Sequence, residues 1–135
     1  MNSHRTVLPE GWPRPKGYSN AILAAKGRVL FLAGQVGWDS VSEEFASDQI
    51  APQFEQALKN ILALVKAAGG KPEDICKITS FCSNREAYLA ARPELGRIWK
   101  EQMGSHYPCM SMIFVSDLLD HPGQIELEAT AVIPD

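Results

Sequence analysis

Residues Cys109–Val115 read Cys-Met-Ser-Met-Ile-Phe-Val, and their β-branched, aromatic and sulfur-bearing side chains predict a strand that is apolar on both sides. Met110, Met112 and Phe114 fall on one side, and Cys109, Ser111, Ile113 and Val115 on the other. Such a strand needs cover on both faces of its sheet. The chain has 135 residues, enough for one domain and not two. At that length folding buries roughly two-thirds of the unfolded surface, so a core needs no covalent staples. The architecture then depends on what else the chain can lay over this strand.

The clearest cover is a helix over Ser47–Ala68. Ile50, Phe54, Ala57, Leu58, Ile61, Leu64, Val65 and Ala68 recur at threes and fours and make one apolar stripe. Ser47 or Asp48 can cap its start and Gly69-Gly70 its end. Ser83-Asn84-Arg85-Glu86 has capping-box spacing and opens a short helical turn. Pro93 argues against one continuous helix through this stretch. A second helix therefore starts there, with Arg92 near the N-cap and Pro93 at the first helical position, and runs to about Met103. It buries Leu95, Ile98 and Trp99.

The remaining strands fall at Tyr18–Ala25, Arg28–Ala33, Asp74–Cys82 and Gln124–Ile133, with Lys26-Gly27 as a hairpin turn between the first two. Residues 1–17 carry Pro9, Pro13, Pro15, Gly11 and Gly17 and form an irregular lead-in to the single domain 1–135. Gly34-Gln35-Val36-Gly37 leaves the sheet, and its glycines permit a turn or a close approach. The order ββ-α-β-α-ββ gives an α+β domain, a mixed sheet with two helices on one face. Two helices cannot cover both faces, so a second copy of the chain is the expected cover for the other. A loop folded over that face is the alternative.

Composition excludes several classes. Net charge is −3 with Lys and Arg scattered, so no basic face marks a nucleic-acid partner. No run reaches the roughly 18 apolar residues needed to span a membrane. Met-Asn-Ser-His-Arg-Thr at the start has no apolar signal core, and a cytoplasmic location is expected. The three cysteines, Cys76, Cys82 and Cys109, are an odd number and read as reduced thiols. His4, His106 and His121 lie far apart, and no metal-ligand spacing is present.

Few residues carry chemistry by spacing alone. Cys109 has His106 three residues before it, but Pro108 intervenes and no orienting group is evident, which favours a structural thiol. Gly34-Gln35-Val36-Gly37 lacks phosphate-loop spacing. Glu126 and Glu128 share one side of the last strand, about 6.5–7 Å apart. They read either as two solvated carboxylates or as a water-holding carboxylate facing a subunit cleft.

Several segments, taken in order, resemble the RidA/YjgF family. They are Gly17-Tyr18-Ser19-Asn20-Ala21-Ile22, Ala33-Gly34-Gln35-Val36-Gly37 and Gln56-Ala57-Leu58-Lys59-Asn60-Ile61. Ala67-Ala68-Gly69-Gly70, Asp74-Ile75-Cys76-Lys77-Ile78-Thr79 and Ile125-Glu126-Leu127-Glu128-Ala129-Thr130-Ala131-Val132 complete the set. The resemblance runs from about Pro15 to Val132. It implies a chorismate-mutase-like fold, a homotrimer with ligand clefts between subunits, and hydrolysis of reactive enamines and imines without metal or organic cofactor. It also implies that Tyr18 lines the pocket and that Glu126 holds the attacking water.

Two positions depart from the family pattern. Pro108-Cys109-Met110-Ser111 places Met110 where the family's deaminases carry the arginine that pairs with the substrate carboxylate. Methionine supplies neither the charge nor the donor fork. Losing such a partner costs about 2–5 kcal/mol. Arg92 falls where many family enzymes carry a cleft asparagine. It reads either as a replacement cation at a helix start or as a surface arginine paired with Glu94 or Glu86. The expected function is a divergent imine or enamine hydrolase acting on a small labile metabolite other than a standard 2-imino acid. The alternative is a non-catalytic trimeric metabolite binder, since kinship of fold does not carry activity without the site.

Overall fold

The last strand sets the plan. In the computed structural model, which describes residues 3–135, Ile125, Leu127, Ala129, Ala131 and Ile133 are all buried, while Glu126, Glu128, Thr130 and Val132 between them are not. Strict alternation of this kind gives a sheet one covered face and one open face.

Eight elements of regular structure are used here: β1 Arg5–Val7, β2 Ala21–Leu23, β3 Gly27–Val36, α1 Ile50–Ala67, β4 Ile75–Cys82, α2 Arg85–Met103, β5 Cys109–Phe114 and β6 Ile125–Pro134. A short 3-10 turn, Pro72–Asp74, precedes β4. The main sheet has the order β3-β6-β4-β5, antiparallel except for the parallel pair β4–β5. β1 and β2 form a separate antiparallel ribbon. Both helices cover one face of the mixed sheet, and the core between them includes Leu58, Ile61, Ile78, Ile98, Ile125 and Leu127. The α+β plan expected from the sequence is therefore observed, and no helix among the described residues is long and apolar enough to cross a membrane.

Three local expectations are corrected. Lys26-Gly27 is not the turn of a hairpin, because β2 pairs with β1 and not with β3. His4 accounts for this: its Nδ1 accepts from the Ala25 N–H at 2.9 Å and its Nε2 lies 2.6 Å from the Val132 carbonyl. That imidazole ties the chain ahead of β3 to the lead-in and to β6. The lead-in is consequently not wholly irregular. The third correction concerns α2, which runs unbroken through Pro93. Its cap is Asn84, whose side chain accepts from the Ala87 N–H at 3.0 Å. Pro93 removes the bond to the Leu89 carbonyl, but both residues are exposed, so water can take that carbonyl. Burial of Leu95, Ile98, Trp99 and Met103 holds the rest of the helix in line. Arg92 thus sits in mid-helix, not at a helix start.

Two amides bind α1 to the loops around it. Gln53 is fully buried; its Nε2 donates to the Ser47 and Pro122 carbonyls, both at 3.0 Å, and its Oε1 accepts from the Gln124 N–H at 2.7 Å. Asn60 donates to the carbonyls of Val36 and Trp38 at 3.3 and 2.9 Å. Gly37 lies against the Gln53 backbone so closely that a Cβ there would overlap it. Replacing Gln53 by Ala removes the partner of three backbone groups, the Ser47 and Pro122 carbonyls and the Gln124 N–H, in part-buried bonds, and leaves a void where the amide was. We expect Gln53→Ala to lower unfolding free energy by about 2–4 kcal/mol in denaturant titration.

Candidate active site

The edge strand β5 carries one side of a cleft. Met110 and Met112 point toward α2, and the register places them beside Ile78 and Ser80 of β4. Ser80 in turn lies beside Leu127 of β6. This apolar floor is roofed by one stripe of α2, from Tyr88 through Arg92, Leu95 and Gly96 to Trp99. The third wall is the segment Lys16–Tyr18 with Tyr107. That segment is held to the start of β5: the Ser19 N–H donates to the Pro108 carbonyl at 3.1 Å, and the Ser19 hydroxyl donates to the Tyr107 carbonyl. Trp99 stacks on Tyr107 with centroids 6.0 Å apart and donates Nε1–H to the His106 carbonyl at 3.1 Å. The cleft is open on one side, and its volume is about 520 Å³.

Tyr18, Met110 and Arg92 therefore line one cleft. Of the two carboxylates suggested for Arg92, Glu94 pairs with Arg97 at 3.5 Å instead, and Glu86 makes no ion pair among the described residues. Arg92 makes none there either. Its charge is felt inside the cleft, where burial pushes the Tyr88 phenol up and Arg92 opposes that shift. Among the described residues no buried side-chain nitrogen or oxygen lacks a hydrogen-bond partner, and Tyr88 and Ser80 add their hydroxyls to the lining of the cleft.

Glu126 does not reach this cleft. It stands on the opposite face of the sheet, between Ile125 and Leu127, whose side chains lie under the helices. There it enters a hollow of about 380 Å³ with Gly34, Trp38, Glu43, Leu119 and Asp120. Gly34 makes the seat, because a Cβ at that position would overlap the Glu126 carboxylate. On the other side the register sets Phe81 beside it. Partial burial, with Asp120 and Glu128 adding negative charge, raises the Glu126 carboxyl above the ordinary range. Glu128 is exposed and fits the solvated reading.

Cys109 is not paired with His106, whose Nε2 is 2.7 Å from the Ile75 carbonyl. Among the described residues no three His, Cys, Asp or Glu side chains gather as a metal site. Ser80, Tyr88, Gly96, Trp99 and Tyr107 were not anticipated from the sequence. Tyr88, Arg92 and Gly96 sit at successive fours, a signal visible only once α2 is read as continuous.

A carboxyl held above its unfolded value binds its proton more readily in the folded chain. That contribution favours folding at low pH and is withdrawn as pH rises through the ordinary carboxylate range toward the raised value. Glu126→Gln should therefore raise the melting temperature at neutral pH. The gain should vanish below about pH 4, where Glu126 is protonated in both states. Parallel thermal scans across pH check this, and an equal gain at every pH would contradict it.

Residues 13–133 match the family model described as endoribonuclease L-PSP. A 2-iminobutanoate/2-iminopropanoate deaminase of Dermatophagoides farinae is 30% identical over 98% of this chain and 99% of its own length. A RutC family protein of Pyrococcus horikoshii is 31% identical over 93% of this chain and 94% of its own. The fold superposes on a Yersinia pestis protein of unknown function from the conserved Rid family with a TM-score of 0.84 and 31% identity, over 98% of this chain and 100% of that one. With nearly the whole sheet, both helices and the segment bearing Tyr18 inside the matched span, the chain belongs to the endoribonuclease L-PSP family, the RidA/YjgF group.

Proposed function

We propose that this protein is a divergent RidA-type hydrolase of an imine or enamine, working in clefts completed by a second copy of the chain. The observation that carries this reading is the raised carboxyl of Glu126, seated by Gly34 in a shallow hollow on the open sheet face, away from the cleft lined by Tyr18, Met110 and Arg92. The open face also exposes Phe31 at 81%, Val29 at 54% and Ile113 at 43%. These side chains sit at the two edges of the face, Val29 and Phe31 on β3 and Ile113 on β5, and exposed apolar surface favours association. In a homotrimer, Glu126 of one copy would face the Tyr18–Met110–Arg92 cleft of the next.

The chemistry is then simple. Water attacks the carbon of the N-protonated C=N bond while the Glu126 carboxylate takes one water proton, leaving a neutral carbinolamine. Glu126 returns that proton to nitrogen. The C–N bond then breaks as the C=O bond forms, the carboxylate takes the hydroxyl proton, and ammonia leaves and carries that proton away as ammonium. An enamine protonated on carbon gives the same protonated imine. A carboxyl that must both accept and donate works best when raised toward the operating pH. Tyr18 and Met110 shape the cleft. The usual strand-borne arginine is replaced by Met110, and Arg92 supplies a cation from the roof instead.

The non-catalytic alternative rests on the separation of Glu126 from the cleft within one chain. Three measurements decide. Light scattering at micromolar concentration should give three times the chain mass; a monomer would remove the composite cleft. Ammonia release above the spontaneous rate from 2-iminobutyrate generated in place should be slow in the native protein and lost in Glu126→Gln. Met110→Arg should raise that rate by about tenfold or more, given the strength of a charged bidentate contact. Ligand-dependent melting shifts without turnover of any imine would favour the binder.

A further inference from the structure

We infer that the α2-roofed cleft selects a carboxylate bearing a ring-sized apolar group, with the carboxylate at Arg92 and Lys16 and the ring against the methionine floor. This rests on the hydrolase reading only for what happens to the ligand afterwards. The charge pattern comes first. The chain has sixteen acidic side chains against thirteen basic ones, yet Lys16 and Arg92 line the cleft and no Asp or Glu does. Arg97, one turn from Arg92, satisfies itself with Glu94 and Glu101 at 3.5 and 2.7 Å. Arg92 is left with a free guanidinium at the rim, where an anionic group would complete it.

Gly96 is the second observation. Glycine within a helix is a cost that close packing often justifies, but a Cβ on Gly96 would meet nothing within 4 Å. No crowding inside the chain calls for glycine there. Helical side chains lean toward the N-terminus, so any side chain at position 96 would lie over the turn bearing Arg92. Gly96 keeps open the space between that guanidinium and the floor.

The third observation is the floor itself. Met110 and Met112 are adaptable thioethers suited to an aromatic face. Ser80, set between Met112 and Leu127, adds one small polar side chain to this floor. Within one chain the cleft is half open and has a volume of about 520 Å³, which leaves room for a ring beside the carboxylate.

Calorimetric titration of the full chain with phenylpyruvate and with 2-oxobutyrate tests the assignment. Phenylpyruvate should bind about tenfold or more tighter, and Arg92→Ala should lose about tenfold of that affinity while Arg92→Lys keeps part of it. Gly96→Leu should abolish phenylpyruvate binding without lowering the melting temperature, since leucine is the better helix former. Gly96→Gln, with similar reach and a polar end, should do the same if the leucine variant misfolds. Equal affinity for the two acids, or unchanged phenylpyruvate binding in both Gly96 variants, overturns the assignment. Ammonia release from the imine of phenylalanine separates it from the hydrolase reading. Tight phenylpyruvate binding without turnover of any imine would leave the ligand class standing and remove the hydrolysis. Turnover of 2-iminobutyrate without phenylpyruvate binding would do the reverse.

Discussion

Everything in this fold depends on the two-residue period of β6. The strand lies between β3 and β4, so both of its edges are hydrogen-bonded and its register is fixed from two sides. Ile125, Leu127, Ala129 and Ala131 sit under the helices, and the intervening side chains cannot join them without turning the whole strand over. The same constraint that builds the core sends Glu126 to the open face. A carboxylate there is partly shielded by Phe81 and Gly34, and it holds its proton more readily because it is partly buried and has Asp120 and Glu128 as negative neighbours. Core and chemistry are thus two faces of one alternation.

The hollow around Glu126 inherits its rigidity from α1. Asn60 holds the carbonyls of Val36 and Trp38, and Gly37 rests on the backbone at Gln53. Gln53 also reaches Pro122 and Gln124, in the connection that carries Asp120. One helix therefore anchors both loops that border the carboxylate. A fully buried amide with every group paired is a strong positional constraint, because any shift of the helix leaves donors unsatisfied in an apolar setting. The charge of Asp120 near Glu126 is accordingly a built-in part of the site's electrostatics.

Periodicity made much of this legible. The apolar stripe of α1, the alternation of β6 and the two-sided character of β5 can all be read from residue types at fixed intervals, and Tyr18, Met110 and Glu126 followed from family resemblance. Two features were not legible because they depend on distant partners. The pairing of β2 with β1 rests on His4 bridging Ala25 and Val132, a contact spanning 128 positions. The continuity of α2 rests on burial of Leu95, Ile98 and Trp99 outweighing a proline whose lost bond faces solvent. Tertiary packing overrode local preference in both cases. The misplaced break at Pro93 also hid the cleft, since Tyr88, Arg92 and Gly96 align only on an unbroken helix.

That continuity changes what Arg92 can do. At a helix start it would have shared its anion with free backbone N–H groups and the helix dipole. In mid-helix it has neither, and its side chain must act alone from an exposed position. An arginine on β5 would be held by the sheet and would present its fork along a fixed line, whereas one at the exposed rim of the α2 roof pays more rotamer entropy for each contact. A cation of this kind binds carboxylate less tightly and tolerates more poses. Discrimination then passes to the apolar floor and to the space above Gly96, where shape decides. On the proposed reading, moving the positive charge from strand to helix would weaken recognition of the group common to all amino-acid-derived imines and would give more weight to the side group that distinguishes one from another.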